Sequence, residues 1–326
     1  MRRISLIVFS FGLMLAGAVP FARAETPATQ DSVQLTFAWP EDFRSQVTYS
    51  FKKEKTVKGN TQVQALTGTY EIWTAPSADG MIVSIGNVEV KAGGNTPSVG
   101  IQAQLEKFFL RIAGSSPNYV IGRKGEYIRL EGLDAYQQNI LEGIDEMLAD
   151  LPPQVRQQIS QMVRQLLSKE QLEKGIVESW NREVGAWAGA AFDQGDLYQA
   201  EFTNSLPLLG NMEVPMVVSF RFLGRVPCSE DETEKNCVDL EMETTVNSEA
   251  LSGAFESLVE RVAGAPDAPL RVDSFDLTET VRLTTEPDTL IPHRLASRKV
   301  STVVMSQGGE LQDASEVEET LTVYRY

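Results

Sequence analysis

The chain has 326 residues, with 45 acidic side chains against 29 lysines and arginines, one histidine and two cysteines. A formal net charge of −16 repels nucleic-acid phosphates and anionic membrane headgroups, which argues against both as partners. One histidine and two cysteines are too few for a four-ligand zinc site without carboxylates, and no phosphate-cradling glycine loop occurs, so neither a metal nor a cofactor is expected.

Residues 1–24 read as an export signal. Arg2 and Arg3 give a basic start, Ile4 to Val19 are uncharged and apolar, and Ala22-Arg23-Ala24 predicts cleavage after Ala24. The apolar run is short for a membrane helix, which needs about 20 residues, and no later segment is long and apolar enough to span. Removing the signal takes away three arginines and no acids, so the charge moves from −16 to −19. The expected location is periplasmic or secreted, with no integral membrane span. Oxidising compartments of that kind favour disulfides over free thiols.

The segments that follow alternate. Val47, Tyr49 and Phe51 share one strand face, and Leu66, Gly68, Tyr70 and Ile72 share the next. Met81 to Val90 is a third strand, after turn residues Ser77-Ala78-Asp79-Gly80. A short helix carries Ile101, Leu105, Phe108, Phe109 and Ile112 at helical spacing after Thr96-Pro97-Ser98. A hairpin of Tyr119 to Ile121 and Tyr127 to Leu130 comes next. Three helices occupy the middle, with stripes Tyr136 to Leu148, Val155 to Leu167 and Leu172 to Trp187. Pro152-Pro153 separates the first two, and Ser168 with Gln171 caps the third.

After Gly195 the period returns to two. Met216, Val218, Phe220 and Phe222 lie on one face of a strand, and Val238, Leu240, Met242, Thr244 and Val246 on another, opposite Asp239, Glu241 and Glu243. A helix is predicted from Ser248 to Val262, closed by Gly264. Of the last three strands, the first carries Phe275, Leu277, Val281 and Leu283, a face that Glu279 interrupts, which predicts a wet or bulged middle. Residues 294–306 alternate poorly, and Val317, Leu321 and Val323 resume the pattern.

Alternation of this kind belongs to antiparallel sheets with one wet face. The predicted fold is α+β: a single domain over residues 25–326, in which a curved, half-barrel-like antiparallel sheet is covered by a helical insertion at about 132–191. This order of elements, with the stretch Ser179-Trp180-Asn181 to Gly195 and the C-terminal strands, resembles exported bacterial half-barrel carriers of lipoproteins (LolA-like) and other exported bacterial β-proteins. The resemblance implies a curved sheet that wraps helices and encloses an apolar cavity. The three-helix insertion departs from those compact carriers, and no functional residue is carried across.

Chemistry is sparse. His293, in Ile291-Pro292-His293-Arg294, has no identifiable nucleophile to serve, and no Gly-x-Ser-x-Gly elbow exists. The acid pairs Asp145-Glu146, Glu316 with Glu318, and Asp239 with Glu241 and Glu243 read as solvated, the strand-borne sets lying opposite the apolar residues. No catalytic residue is therefore assigned. Trp180, Val184 and Trp187 share a helical face that reads first as core. With Phe108 and Phe109, they are also the best candidates to line an apolar pocket.

Cys228 and Cys237 bracket the acidic run CSEDETEKNC between two alternating strands. The spacing fits neither an EF-hand nor a Cys-x-x-Cys switch and predicts a disulfide across a hairpin loop, removing about 2.5–3 kcal/mol of unfolded-state freedom. The functional expectation is an exported envelope protein that binds or carries an apolar or lipid-like ligand between sheet and helices. The alternative is an envelope interaction or assembly module with a filled core and no ligand, its partner an envelope protein. A carboxylate-dependent hydrolase ranks third.

Overall fold

A computed structural model describes residues 32–94, 99–206, 212–253, 270–307 and 310–326. The export signal, the Thr96-Pro97-Ser98 helix start and most of the helix predicted after Ser248 lie outside these residues. The strands are β1 (Ser32–Gln34), β2 (Arg44–Val57), β3 (Asn60–Ser77), β4 (Gly80–Gly94), β5 (Asn118–Ile121) and β6 (Tyr127–Glu131), followed by β7 (Ala191–Asp193), β8 (Tyr198–Leu206) and β9 (Met212–Val226). The series ends with β10 (Cys237–Val246), β11 (Leu270–Thr285), β12 (Pro292–Gln307) and β13 (Glu310–Arg325). The helices are α1 (Val99–Ala113), α2 (Leu133–Met147), α3 (Pro153–Leu166) and α4 (Lys169–Trp180), the last running into a π-helical turn, Asn181–Gly185. Ser168 caps α4 by accepting from the Gln171 amide, and Pro153 opens α3 where its missing N–H costs nothing.

Eleven strands form one antiparallel sheet in the order β6-β5-β4-β3-β2-β13-β12-β11-β10-β9-β8, while β1 pairs with β7 in a separate ribbon. The sheet is open: β6 and β8 are its edges and do not pair with each other. The Cys228–Cys237 disulfide closes the loop between β9 and β10, where Cys237 faces Val226 in register.

One face of this sheet carries the main core. It gathers Val47 of β2, Ile72 of β3, Val83 of β4, Ile121 of β5, Phe220 of β9, Leu240 of β10, Val281 of β11, Leu295 of β12 and Tyr324 of β13 around Trp180, Val184 and Trp187. The sheet curls to achieve this. From β5 to β9 is eight strand steps, about 38 Å if flat, and residues 180 and 187 lie only about 10 Å apart along a helix. Yet the Trp180 ring stands 5.9 Å from that of Tyr119 on β5, and the Trp187 ring 5.4 Å from that of Phe220 on β9. The edges are tied to neighbouring residues of α4. Tyr127 of β6 donates to Glu173 at 2.5 Å, and Lys174 donates to Asn204 of β8 at 2.6 Å.

Residues 33–43 fill the remaining space at this end. Val33, Leu35, Phe37, Trp39 and Phe43 are all buried. The strip is held by backbone bonds on both sides: Leu35 N–H to Ala190 and Gly189 N–H to Leu35 on one, Thr36 N–H to Pro287 and Ala38 N–H to Thr289 on the other. The sequence reading assigns this segment no element, although residues 33, 35, 37 and 39 alternate as an extended strip should.

Helix α1 lies against β4 and α2, and α2 packs in turn on α3 and α4. Phe108 and Ile112 of α1 join Ile140, Ile144, Val163 and Leu167 in a second cluster, to which α4 contributes Leu172. Helix α4 therefore links that cluster to the sheet, with Leu172 in one core and Trp180 in the other.

Candidate functional site

The strand registers define rows that cross the inward face of the sheet. One row reads Lys53 (β2), Glu318 (β13), Lys299 (β12), Glu279 (β11) and Thr244 (β10), each directly opposite the next. It lies on the inner side because Val47 and Tyr324, an even number of residues away on β2 and β13, are buried in the main core. The sequence reading of β13 is thereby corrected. Glu316 and Glu318 point inward with Thr322 and Tyr324, whereas Val317, Leu321 and Val323 take the outer face.

The row is a ladder of alternating charge. Lys53 Nζ lies 2.7 Å from Glu316 and 2.9 Å from Glu318, and Lys299 Nζ lies 3.9 Å from the other Glu318 oxygen. Glu279, 4% exposed, meets Arg182 of the π-helical turn in a forked pair, Nη1–Oε1 at 3.0 Å and Nη2–Oε2 at 3.2 Å. The apolar face that Glu279 interrupts is therefore neither wet nor bulged at that residue. The irregularities of β11 fall elsewhere, at Val272/Ser274 and Thr284/Thr285. Burial holds Lys299 below its ordinary range, against the pull of Glu318 and Glu279.

Glu183 is next to Arg182. Its carboxyl accepts from the Tyr324 hydroxyl and faces Tyr70 and Tyr119. Burial pushes its pKa up to about 7, although the Tyr324 hydrogen bond and the Arg182 charge pull downward. Tyr49, on β2 between Val47 and Phe51, is pushed up to about 12 by burial first and by Glu318 second.

The five pocket candidates divide. Trp180, Val184 and Trp187 come together in the main core, at 3%, 0% and 0% exposure. Both indoles are satisfied: Trp180 donates to the Gly125 carbonyl at 2.8 Å and Trp187 to the Arg182 carbonyl at 2.9 Å. Gly125 has φ +86°, and a Cβ there would stand 2.8 Å from the Phe37 ring, so glycine is required at this contact. Phe108 packs in the helical cluster beside Phe109, whose ring centroid is 5.8 Å away. Four of the remaining candidate acids meet cations: Asp145 meets Arg164, Glu146 meets Arg111 and Lys107, Asp239 meets Arg282, and Glu241 meets Arg221. His293 lies beside the disulfide at the start of β12.

Chemically, the ladder can hold polar groups of either charge on an inner face whose ions remain 5–21% exposed. Half-buried Phe51 and Leu66 adjoin it on β2 and β3, and Leu277 and Phe275 adjoin it on β11. Neither a scan against protein-family models nor a search of curated proteins gives a match.

Two outcomes follow from this geometry. Replacing Glu279 with leucine leaves Arg182 enclosed without its counter-ion and is expected to cost about 3 kcal/mol in denaturant unfolding, most of it recovered by the double change Arg182→Met/Glu279→Leu. Equal costs for the single and double variants would contradict the pairing.

The second concerns pH. Glu183 titrates near 7 when folded and near 4.5 ordinarily, so its contribution is full below 4.5 and is lost as pH rises towards 7. Across that window the wild type should lose up to about 1.4 kcal/mol per pH unit relative to Glu183→Gln. Parallel stability curves for the two proteins would refute the assignment.

Proposed function

We propose that this chain is an exported envelope protein that binds an amphiphilic, lipid-like ligand along the inner face of the sheet. The polar part meets the Lys53–Glu318–Lys299 row, and the apolar part runs over Phe51 and Leu66. The observation behind this reading is the partial exposure of the row. Enclosed ions are costly unless paired and solvated, and these side chains keep 11–15% of their surface open, whereas the core end of the same face is dry. The same strands are closed at their other end, where Val47, Tyr324 and Leu283 are buried. Half-buried apolar side chains beside a wet ionic row suit a ligand with both characters.

Export rests on residues 1–24, and the disulfide is compatible with an oxidising compartment. The half-barrel likeness, with its curved sheet and helical cover, points to the same ligand class. The second reading, an assembly module without a ligand, draws on the filled packing around Trp180 and Trp187.

Titration with a dansyl-labelled fatty acid separates the two readings. A carrier takes up the probe with enhanced emission, and Leu66→Asp weakens it at least tenfold, about 1.4 kcal/mol. Absence of uptake by a folded wild type, together with an adduct-free native mass spectrum, would favour the module.

A further inference from the structure

The single histidine and both cysteines, distant in sequence, meet at one end of the sheet. Ligand atoms of Cys228, Cys237 and His293 lie within 4.8 Å of one another. The registers explain the meeting. Cys237 opens β10, its neighbour Val238 faces Thr285 of β11, and Thr285 faces Pro292, the residue before His293 on β12. Cys237 is buried and the His293 side chain is 13% exposed.

The imidazole has a carboxylate partner, as metal-bound histidines commonly do. Its Nε2 lies 3.3 Å from Glu286 Oε1, and the other Glu286 oxygen accepts from Thr289 Oγ1 at 2.7 Å. Tyr326 stands edge-on to the ring at 5.1 Å. A carboxylate that orients an imidazole in this way fixes its tautomer and raises its basicity towards a metal.

We propose that the reduced chain binds a zinc ion through Cys228, Cys237 and His293, with Glu286 as the positioning residue. The disulfide takes two electrons from a dithiol reductant, which is itself oxidised to a disulfide. The S–S bond breaks, and each sulfur leaves as a thiol carrying one proton. Zinc then displaces both protons and binds two thiolates and one neutral imidazole, with water in the fourth position.

The geometry allows this. Zinc sits about 2.3 Å from sulfur and about 2.0–2.1 Å from nitrogen. Bringing four ligands to those distances separates the two sulfurs by less than about 2 Å beyond their bonded spacing, a side-chain rotation. Two thiolates with an imidazole suit zinc and not magnesium or calcium, which take oxygen ligands. An open groove of about 460 Å³ lies nearby, lined in part by Val226 and Lys235, each two residues from a cysteine, though by neither cysteine nor His293 itself. In the oxidised chain the sulfurs are bonded to each other and the site is closed, so the redox state gates the metal.

The test is a Co²⁺ titration of the full chain after reduction with a phosphine. The reduced chain should bind one equivalent, showing thiolate-to-cobalt charge-transfer absorption that Zn²⁺ abolishes, and the oxidised chain none. His293→Ala should weaken binding at least tenfold, and Glu286→Gln by about 10–100-fold. A reduced chain that keeps its native circular dichroism yet gives no band, or an affinity unchanged in His293→Ala, overturns the proposal. Where reduction alone unfolds the chain, Zn²⁺ must shift the circular dichroism of the reduced wild type back to the native spectrum but not that of Cys228→Ser. Equal or absent shifts overturn it as well.

Discussion

Residues 180–187 have to satisfy two unlike surfaces at once, and the rest of the structure is arranged around that requirement. Trp180 reaches towards β5 and Trp187 towards β9, so the apolar side of this turn meets both arms of the sheet. Between them, Arg182 and Glu183 meet the central strands through Glu279 and Tyr324. A flat eleven-stranded sheet cannot make these contacts together, and the favourable burial of two tryptophans outweighs the cost of curling a sheet that already twists. The edges then come close enough for consecutive residues of α4, Glu173 and Lys174, to bond one each.

The charged row has a second consequence. Strands β2, β12 and β13 are long and have few fully buried residues outside the core end, so their apolar pattern specifies register weakly. A two-residue slip of β2 on β13 keeps every side chain on its face and sets Lys53 against Thr320 in one direction, though against Glu316 in the other, while a slip of β12 on β11 parts Lys299 from Glu279. Alternating charge thus favours the native pairing, which alone sets Lys53 opposite Glu318 and Lys299 opposite Glu279 together, where hydrophobicity leaves several. Such selection is a better-attested use of enclosed ion pairs than stability is. It also places ions on the face where a ligand with a polar end would lie.

Much of the framework was legible from residue patterns. Most of the long strands, the three middle helices and the disulfide hairpin follow from periods of 2 and 3.6, from proline positions and from one cysteine pair, whereas the sequence reading assigns no strand to β1, β7 or the edge strand β8. Glu279 stood out as a charge on an apolar face, but its partner could not be found, because Arg182 reaches it only through the fold. The poor alternation of 294–306 has the same origin: Ser297, Lys299 and Ser301 face inward on a central strand that carries the row. On β13 the apolar residues Val317, Leu321 and Val323 pointed to the wrong face, since hydrophobicity marks the inner side only where that side is dry. The convergence of His293 on the disulfide is set by three strand registers, and no local pattern encodes those.

Curling of the sheet around α4 is tested most directly by the distance between its edges. Spin labels placed at residue 128 on β6 and residue 201 on β8, both exposed, report that distance by double electron–electron resonance. The two strands are ten steps apart in the sheet, about 48 Å if it were flat. The account predicts a single narrow distribution below about 30 Å, as two side-chain bridges to adjacent helical residues require. A distribution centred near 45–50 Å, the flat spacing, would contradict it.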